Sequence, residues 1–582
     1  MLKEFFLNEV NKAVESLVKQ NKLGAMSSED KYNLQSEIPK NTQFGDFAVN
    51  VSSLSRYTKM APNKTAEIIA SEINKSEFEI NVTAGFINFK LYFPLLNNIV
   101  SEVLDKKLDY AKNNIGQGEK VILEYVSANP TGPFHIGHGR WAAMGSALAN
   151  VMKYSGYDVY QEFYINDAGS QIQKLGKSLY IRILQESGIK IDFPDDEEEA
   201  KNFYTGEFLI PVAKEFIEAE KERSKIIKDT WNGDYNSEQL KYLSKYARLK
   251  MLDKQQKLLE NFHTHFDNFY SELTLHESGK VEDCIKKLRE LGVLYEQDGA
   301  IWFASSKYGD EKDRVIKKSD GAYTYLTADI AYHYDKLQRG FTKLLNIWGA
   351  DHHGYIARMR AAVEVLGYNP DSLEVLLGQL VNLVINGEEV RMGKRTKMVT
   401  LDDLIEEVGV DATRYWMIMK SIDTTLDFDI ELAKSKTDDN PVFYVQYAHA
   451  RACSILRNAM ADKPDIVNNT MQKGIDIDLS KADLKTLWST GDEKSEETTK
   501  KLLLKLEEYK SVVQNAAKNR TPYLLTKYLQ ELAADFHKFY TFSKVLVEDE
   551  KLMCARLCVV QAVILILQSA MKLIAVEAPE KM

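Results

Sequence analysis

The stretch "ANPTGPFHIGHGR", residues 128–140, sets two imidazoles, His135 and His138, three residues apart, with Gly137 between them and Pro130 and Pro133 upstream. It follows the apolar run "KVILEYVS", so the spacing predicts a strand, a loop and the start of a helix. A helix N-terminus offers free N–H groups and positive potential, both favourable to phosphate. Two rings placed there could donate hydrogen bonds to a phosphate whose charge redistributes, without any covalent step. The same pair also fits a metal or plain surface polarity. Glu124 is a charge inside the apolar run, where a substrate contact and a surface-facing acid are the two readings. Tyr325 and Asp329 stand one helical turn apart in "YTYLTADIAYH". In "WGADHHGY", Asp351, His352 and His353 form a D-H-H cluster that could hold a metal, although two adjacent histidines rarely point together. "RMGK", residues 391–394, puts two cations around a glycine.

The elements that must carry these residues are legible from pattern. "KVILEYVS" reads as a buried strand, "GRWAAMGSALANVMKYSG" as a helix closed by Gly156, and "YDVYQEFYIND" as the next strand. That is a β-α-β unit and therefore a parallel sheet. "KLLNIWGADHHGYIARMRAAVEVLGYNP" repeats the design, with Gly367 as the stop. Loops at the carboxyl edge of such a sheet bind ligands. "VNLVINGEEVRM" carries a hairpin turn at Asn386–Gly387. The stretch from about 190 to 300 is charged and mostly helical and reads as an insertion. Residues 1–112 read as a small α/β unit, 113–436 as a Rossmann-like parallel-sheet domain, and 437–582 as an all-α bundle.

The chain has 582 residues and a formal net charge of −10, so no global pull toward nucleic acid or anionic membrane is expected. Cys284, Cys453, Cys554 and Cys558 form no C-x-x-C pair, which speaks against a disulfide framework or a zinc site. "LCVVQAVILILQSAMKLI" is greasy but interrupted by Gln561, Gln568 and Lys572, and is expected to be a buried core helix. A cytoplasmic protein without membrane contact is expected.

"SANPTGPFHIGHGR" resembles the signature of class I aminoacyl-tRNA synthetases in the form used by arginyl-tRNA synthetases. "GAYTYLTADIAYH", "NIWGADHHGYIARMR", "VRMGKRTKMVTLDDLIEEVGVDATRYW", "NPVFYVQYAHAR" and the closing "VEAPEKM" resemble that family in the same order. The resemblance implies an ATP-dependent ligation of L-arginine to tRNA(Arg) through arginyl-adenylate, with magnesium accompanying ATP, no zinc, activation that requires tRNA, and a monomer. It implies His135, His138, Lys394 and Arg391 as catalytic groups. ATP is expected along Ala128, Asn129, Pro130, Thr131, Gly132, Pro133, Phe134, His135, Ile136, Gly137 and His138, and at Gly349, Asp351, His352, Met392 and Gly393. Arginine is expected at Glu124, Ser127, Asn129, Tyr325 and Asp329, with Asp329 on the guanidinium, a match of planar cation and carboxylate. Tyr444, Tyr447 and His449 are the candidates for stacking on unpaired tRNA bases. The usual Lys-Met-Ser-Lys loop is departed from: Arg391-Met392-Gly393-Lys394 keeps the end charges and loses the serine hydroxyl. A nucleotidyltransferase, another class I synthetase or a non-catalytic RNA-binding relative are the rivals.

Overall fold

The computed structural model describes residues 2–24, 34–39, 41–385, 388–389, 400–464, 467–469, 475–477 and 482–582. At the N-terminus, helix Leu2–Lys19 lays its apolar stripe on an antiparallel sheet that includes Phe47–Asn50, Phe78–Thr83 and Phe86–Leu91. Phe6 anchors the contact, stacked 5.2 Å from Phe47 and 4.5 Å from Phe89. The last two strands turn at Ala84–Gly85, both at positive φ, as a tight hairpin requires.

The central domain is built on five parallel strands: β1 (Lys120–Glu124), β2 (Asp158–Ile165), β3 (Asn268–Ser271), β4 (Lys343–Gly349) and β5 (Leu373–Gly378), in the order β5-β4-β1-β2-β3. The order reverses between β1 and β4, so the connections leave in opposite directions and open a crevice beyond the carboxyl ends of those two strands. Helix α1 (Ile136–Tyr154) crosses from β1 to β2 and stops before Gly156 at φ +84. It lies close on the sheet because Gly145 is bare: a Cβ there would stand 2.3 Å from the Tyr125 ring.

The stretch about 190–300 is not a single insertion. Helices Ser170–Glu186, Leu209–Ala219 and α2 (Ser237–Asn261) form an arm with its own core around Leu175, Phe216 and Leu243. Residues 268–271 then return to the main sheet as its edge strand. β3 is only four residues long and half-buried, so neither length nor alternation separates it from its helical surroundings. α3 (Tyr325–Gln338) follows, and α4 (Leu401–Val408) packs back on α1.

The C-terminal part contains α5 (Pro441–Asp462), Glu493–Lys518, Tyr523–Phe542 and α6 (Glu550–Leu573). Among the described residues α6 is the one helix long and apolar enough to cross a membrane, and 83% of that stretch is buried inside the protein. Fully buried Arg414 ties the two parts together, donating to the carbonyls of Phe262 (2.6 Å) and Ile574 (3.1 Å) and to Ser146 Oγ (2.7 Å). The four cysteines are all buried.

Candidate active site

β1 leaves the sheet through a strained turn. Val126 has φ +69 and Ser127 φ +28, and the Ser127 N–H donates to the Tyr125 carbonyl at 2.9 Å. A β-branched residue rarely adopts that backbone, and such strain persists only where surroundings hold it. Here Ser127 Oγ donates to Glu124 Oε1 (2.9 Å) and accepts from the Tyr164 N–H (3.1 Å). The other Glu124 oxygen receives Lys336 Nζ at 2.5 Å. Glu124 is only 6% exposed, so the surface-facing reading of this acid is excluded. Lys336 is fully buried and also reaches Asn346, the Glu124 neighbour across β4.

The loop Ala128–Phe134 ends at His135, the N-cap of α1. His135 Nδ1 accepts from the Gly137 N–H (3.1 Å), and His138 Nδ1 accepts from the His135 N–H (3.3 Å). This reciprocal cap is filled by two imidazoles, where serine and glutamate commonly serve. Gly137 is needed because a Cβ would sit 2.9 Å from the His135 ring. The consequence is chemical. Each Nδ1 is occupied as an acceptor, so in the neutral rings both Nε2 atoms carry hydrogen and are donors. Burial pushes His135 below its ordinary pKa, and burial together with His135 pushes His138 down to about 3. Neutral donors, not cations, stand at the helix start. The ring centroids are 3.7 Å apart, with Trp141 edge-on to His138 at 5.5 Å.

The Leu401 N–H donates to the Phe134 carbonyl (2.9 Å) and Thr400 forms a β-bridge with His135. The chain just beyond "RMGK" is thus fastened beside the histidine pair. Arg391, Met392, Gly393 and Lys394 lie outside the described residues, as does the Asn386–Gly387 turn. The flanking strands pair antiparallel, Val384 with Glu389.

Across the crevice, β4 ends at Gly349, paired with Gly378 of β5. A Cβ at Gly378 would meet Trp141 Nε1 at 2.2 Å, and one at Gly349 would meet Asp351 Oδ1 at 2.5 Å. Asp351 and His352 are exposed neighbours, 3.6 Å apart.

α3 presents Tyr325 at its first turn, 74% exposed, and Asp329 one turn further. Asp329 accepts from the Tyr355 hydroxyl, and burial pushes its carboxyl up to about 7, with Glu124 and Glu272 adding to the rise. Glu272 is itself 6% exposed and pushed to about 7 by burial and by Asp167. Glu124, Glu272 and Asp329 thus make an acidic recess: Lys336 pairs with Glu124, His276 Nε2 stands 3.7 Å from Glu272 Oε1, and the Glu272 and Asp329 carboxyls are both raised in pKa. Glu272 was invisible in the sequence, because an acid opening a helix is commonplace. Gln255 and Arg248, which brace the recess and the loop, sit in a charged helix with nothing to single them out.

Of the three aromatic candidates in the bundle, Tyr444 and Tyr447 flank His537 at 5.1 and 6.1 Å, with Arg451 over the Tyr447 ring. His449 requires a correction. It is fully buried and its Nδ1 lies 2.8 Å from the Pro579 carbonyl, so its ring clamps the segment before the C-terminus and offers no face to a base. Among the described residues no group of three or more His, Cys, Asp or Glu side chains is arranged to hold a metal.

The parallel sheet with its switch point and the imidazole-capped helix fit a class I synthetase domain, and the family match shows that class. The family model described as "tRNA synthetases class I (R), catalytic domain" matches residues 99–429. "Arginyl tRNA synthetase N terminal domain" matches 4–91 and "DALR anticodon binding domain" matches 445–582. The chain is 45% identical to arginine–tRNA ligase 1 of Halalkalibacterium halodurans and 43% identical to the arginine–tRNA ligase of Bacillus subtilis, each over 94% of both chains. The crystal structure of a putative arginyl-tRNA synthetase from Campylobacter jejuni superposes with a TM-score of 0.73 at 36% identity, over 84% of this chain and 100% of that one. The chain belongs to the arginyl-tRNA synthetase family.

Proposed function

We propose that ATP and arginine meet in the crevice between β1 and β4, with the roles of individual residues as follows. The reaction is ligation of L-arginine to tRNA(Arg). A carboxylate oxygen of arginine attacks the α-phosphorus of ATP, the bond to pyrophosphate breaks, and arginyl-adenylate forms. A ribose hydroxyl of the tRNA end then attacks the carbonyl carbon and AMP leaves. His135 and His138 donate from Nε2 to phosphate oxygens as negative charge redistributes, and the free N–H groups of α1 add to that field. The loop from Ala128 to Phe134, Gly349, Asp351 and His352 receive the nucleotide, and ATP brings its magnesium. Asp329 and Glu272 receive the guanidinium. Glu124, Ser127 and Asn129 face the α-amino and carboxylate groups, with Tyr325 at the mouth. Residues 1–112 and 437–582 hold the tRNA at its outer corner and anticodon arm, with Tyr444 and Tyr447 on the latter. The enzyme works as a cytoplasmic monomer.

The observation that carries this reading is the joint placement of a neutral two-imidazole donor pair and an acidic recess on one edge of one sheet. Pyrophosphate exchange measured across the twenty amino acids, with and without tRNA(Arg), tests it. Exchange is expected for arginine alone and only with tRNA present. Exchange with another amino acid, or with none, overturns the substrate.

Lys394 acts as the cation on the phosphates, more than Arg391. A compact ammonium on a flexible stem can follow a moving charge, whereas a planar guanidinium is suited to bidentate pairing with an acid. Single-turnover adenylation with tRNA present should fall at least tenfold further in Lys394→Ala than in Arg391→Ala, on the order of a lost charge-assisted contact. Equal losses would remove the distinction.

A further inference from the structure

The helical arm packs on itself through Leu175, Phe216, Leu243 and Met251, yet from α2 two polar side chains reach into the catalytic domain. Arg248 and Gln255 are seven residues apart, two turns, and so lie along the same side of one helix. Arg248 donates to Asp167 Oδ2 at 2.5 Å. Asp167 is 4% exposed, and its carboxylate also accepts from Ser271 Oγ (2.9 Å) and the Leu273 N–H (3.0 Å), gripping the chain on both sides of Glu272. Gln255, 3% exposed, donates from Nε2 to the carbonyls of Asn129 (3.1 Å) and Gly132 (2.9 Å), within the loop that leads into His135.

We propose that α2 is the spacer that sets the distance between the two substrates, with Arg248 positioning the arginine-side carboxylates and Gln255 positioning the ATP-side loop. The proposal rests on the crevice being the ATP and arginine site. Neither residue touches the reacting atoms; each acts through the segment it holds. A helix is stiff along its axis, so two anchors two turns apart give the two half-sites one common frame. Attack of the arginine carboxylate on the α-phosphorus depends on that frame, because misplacing reacting groups by about 1 Å costs on the order of 10²-fold in rate. The anchors also explain the choice of residue types. The Gln255 amide spans two carbonyls with one NH2 group, and the Arg248 guanidinium brings a cation to a buried carboxylate that is also held by a hydroxyl and an N–H.

The test compares four variants of the full chain, with tRNA(Arg) present, by steady-state adenylation and thermal melting. Gln255→Met, similar in length but without a donor, is expected to lower kcat on the order of 10²-fold, the scale of a misplacement of about 1 Å, and to raise the ATP KM about tenfold while the arginine KM stays within about twofold. Arg248→Met is expected to raise the arginine KM about tenfold with the ATP KM unchanged, and Arg248→Lys, which keeps a cation, to recover part of it. Leu243→Ala opens a cavity in the arm's own core and is the control for stability alone: its Tm should fall while both KM values of the folded enzyme hold. If Gln255→Met and Arg248→Met change only Tm, or change both KM values in step with Leu243→Ala, the spacer role is overturned. A wild-type chain without arginine-dependent exchange would instead refute the reading of the site.

Discussion

Replacing His138 by alanine is expected to lower kcat for adenylation by roughly 10²–10³-fold, the effect of removing one preorganised donor from a developing charge, with little change in ATP KM. The ring has two jobs, and the structure separates them. Its Nδ1 closes the cap on the His135 N–H, which leaves Nε2 as the donor that the proposed mechanism uses. Losing the cap costs about 1 kcal/mol of stability. His138→Asn keeps a short acceptor near the Nδ1 position but cannot reach the Nε2 position, so Tm should recover while kcat stays low. His138→Gln places an amide N–H near the Nε2 position and should restore part of kcat. A pure KM effect in the alanine variant would mean the ring only holds ground-state ATP. The same burial gives a stability signature. His138 has an ordinary pKa of 6.5 and is pushed to about 3 in the fold, so between those values the unfolded chain binds more protons. Stability linked to this group therefore rises with pH across that window and is flat above it. As pH falls below 6.5 the Tm of wild type should drop relative to that of His138→Gln.

Replacing Asp329 by alanine is expected to raise the arginine KM on the order of 10²–10³-fold, with ATP binding nearly intact. Removing one partner of a buried, hydrogen-bonded charge pair costs roughly 2–5 kcal/mol, at about 1.4 kcal/mol per tenfold. Tyr355 would be left with an unmatched hydroxyl, so Asp329→Asn is the gentler companion, keeping an acceptor and losing the charge. An unchanged arginine KM in both variants would refute the assignment. The acidic recess adds a linkage that the sequence did not suggest. Without arginine the Asp329 carboxyl titrates at about 7 instead of 3.8, so near neutrality a fraction of the enzyme holds a proton there. Guanidinium stays charged and favours the ionised form. Arginine binding should thus release protons below about pH 7, and affinity should rise with pH to that point and then level. Calorimetry in two buffers of different ionisation enthalpy measures the release directly. For the ligand-free protein the sign is opposite to that of His138: the native state binds more protons between 3.8 and 7, so the contribution of Asp329 to stability declines as pH rises through that range.

What the sequence determined by itself was whatever depends on local order. The apolar run before "ANPTGPFHIGHGR", the helix stops at Gly156 and Gly367, and the two repeats of strand, loop and helix are short-range signals, and they suffice for a parallel sheet with its ligand edge at His135 and His138. The succession of long motifs likewise pointed to the family. What only the tertiary structure decided were properties that arise when distant segments meet. His449 has the spacing of an exposed helix-face aromatic, yet the segment near Pro579 folds over it and fills its hydrogen bond. Glu124 has a buried lysine from 212 residues away, so its charge is matched inside the core. The Glu272 carboxyl is raised by burial and by Asp167, and Gln255 spans two carbonyls from a loop 123 to 126 residues upstream. The short strand Asn268–Ser271 joins the main sheet because Ile165 and its neighbours offer an open edge, not through its own pattern. Periodicity along a chain encodes which face of an element is apolar. It carries no information about which polar group from a remote element will satisfy, or unbalance, a buried charge, and that balance is what turns this sheet edge into a site.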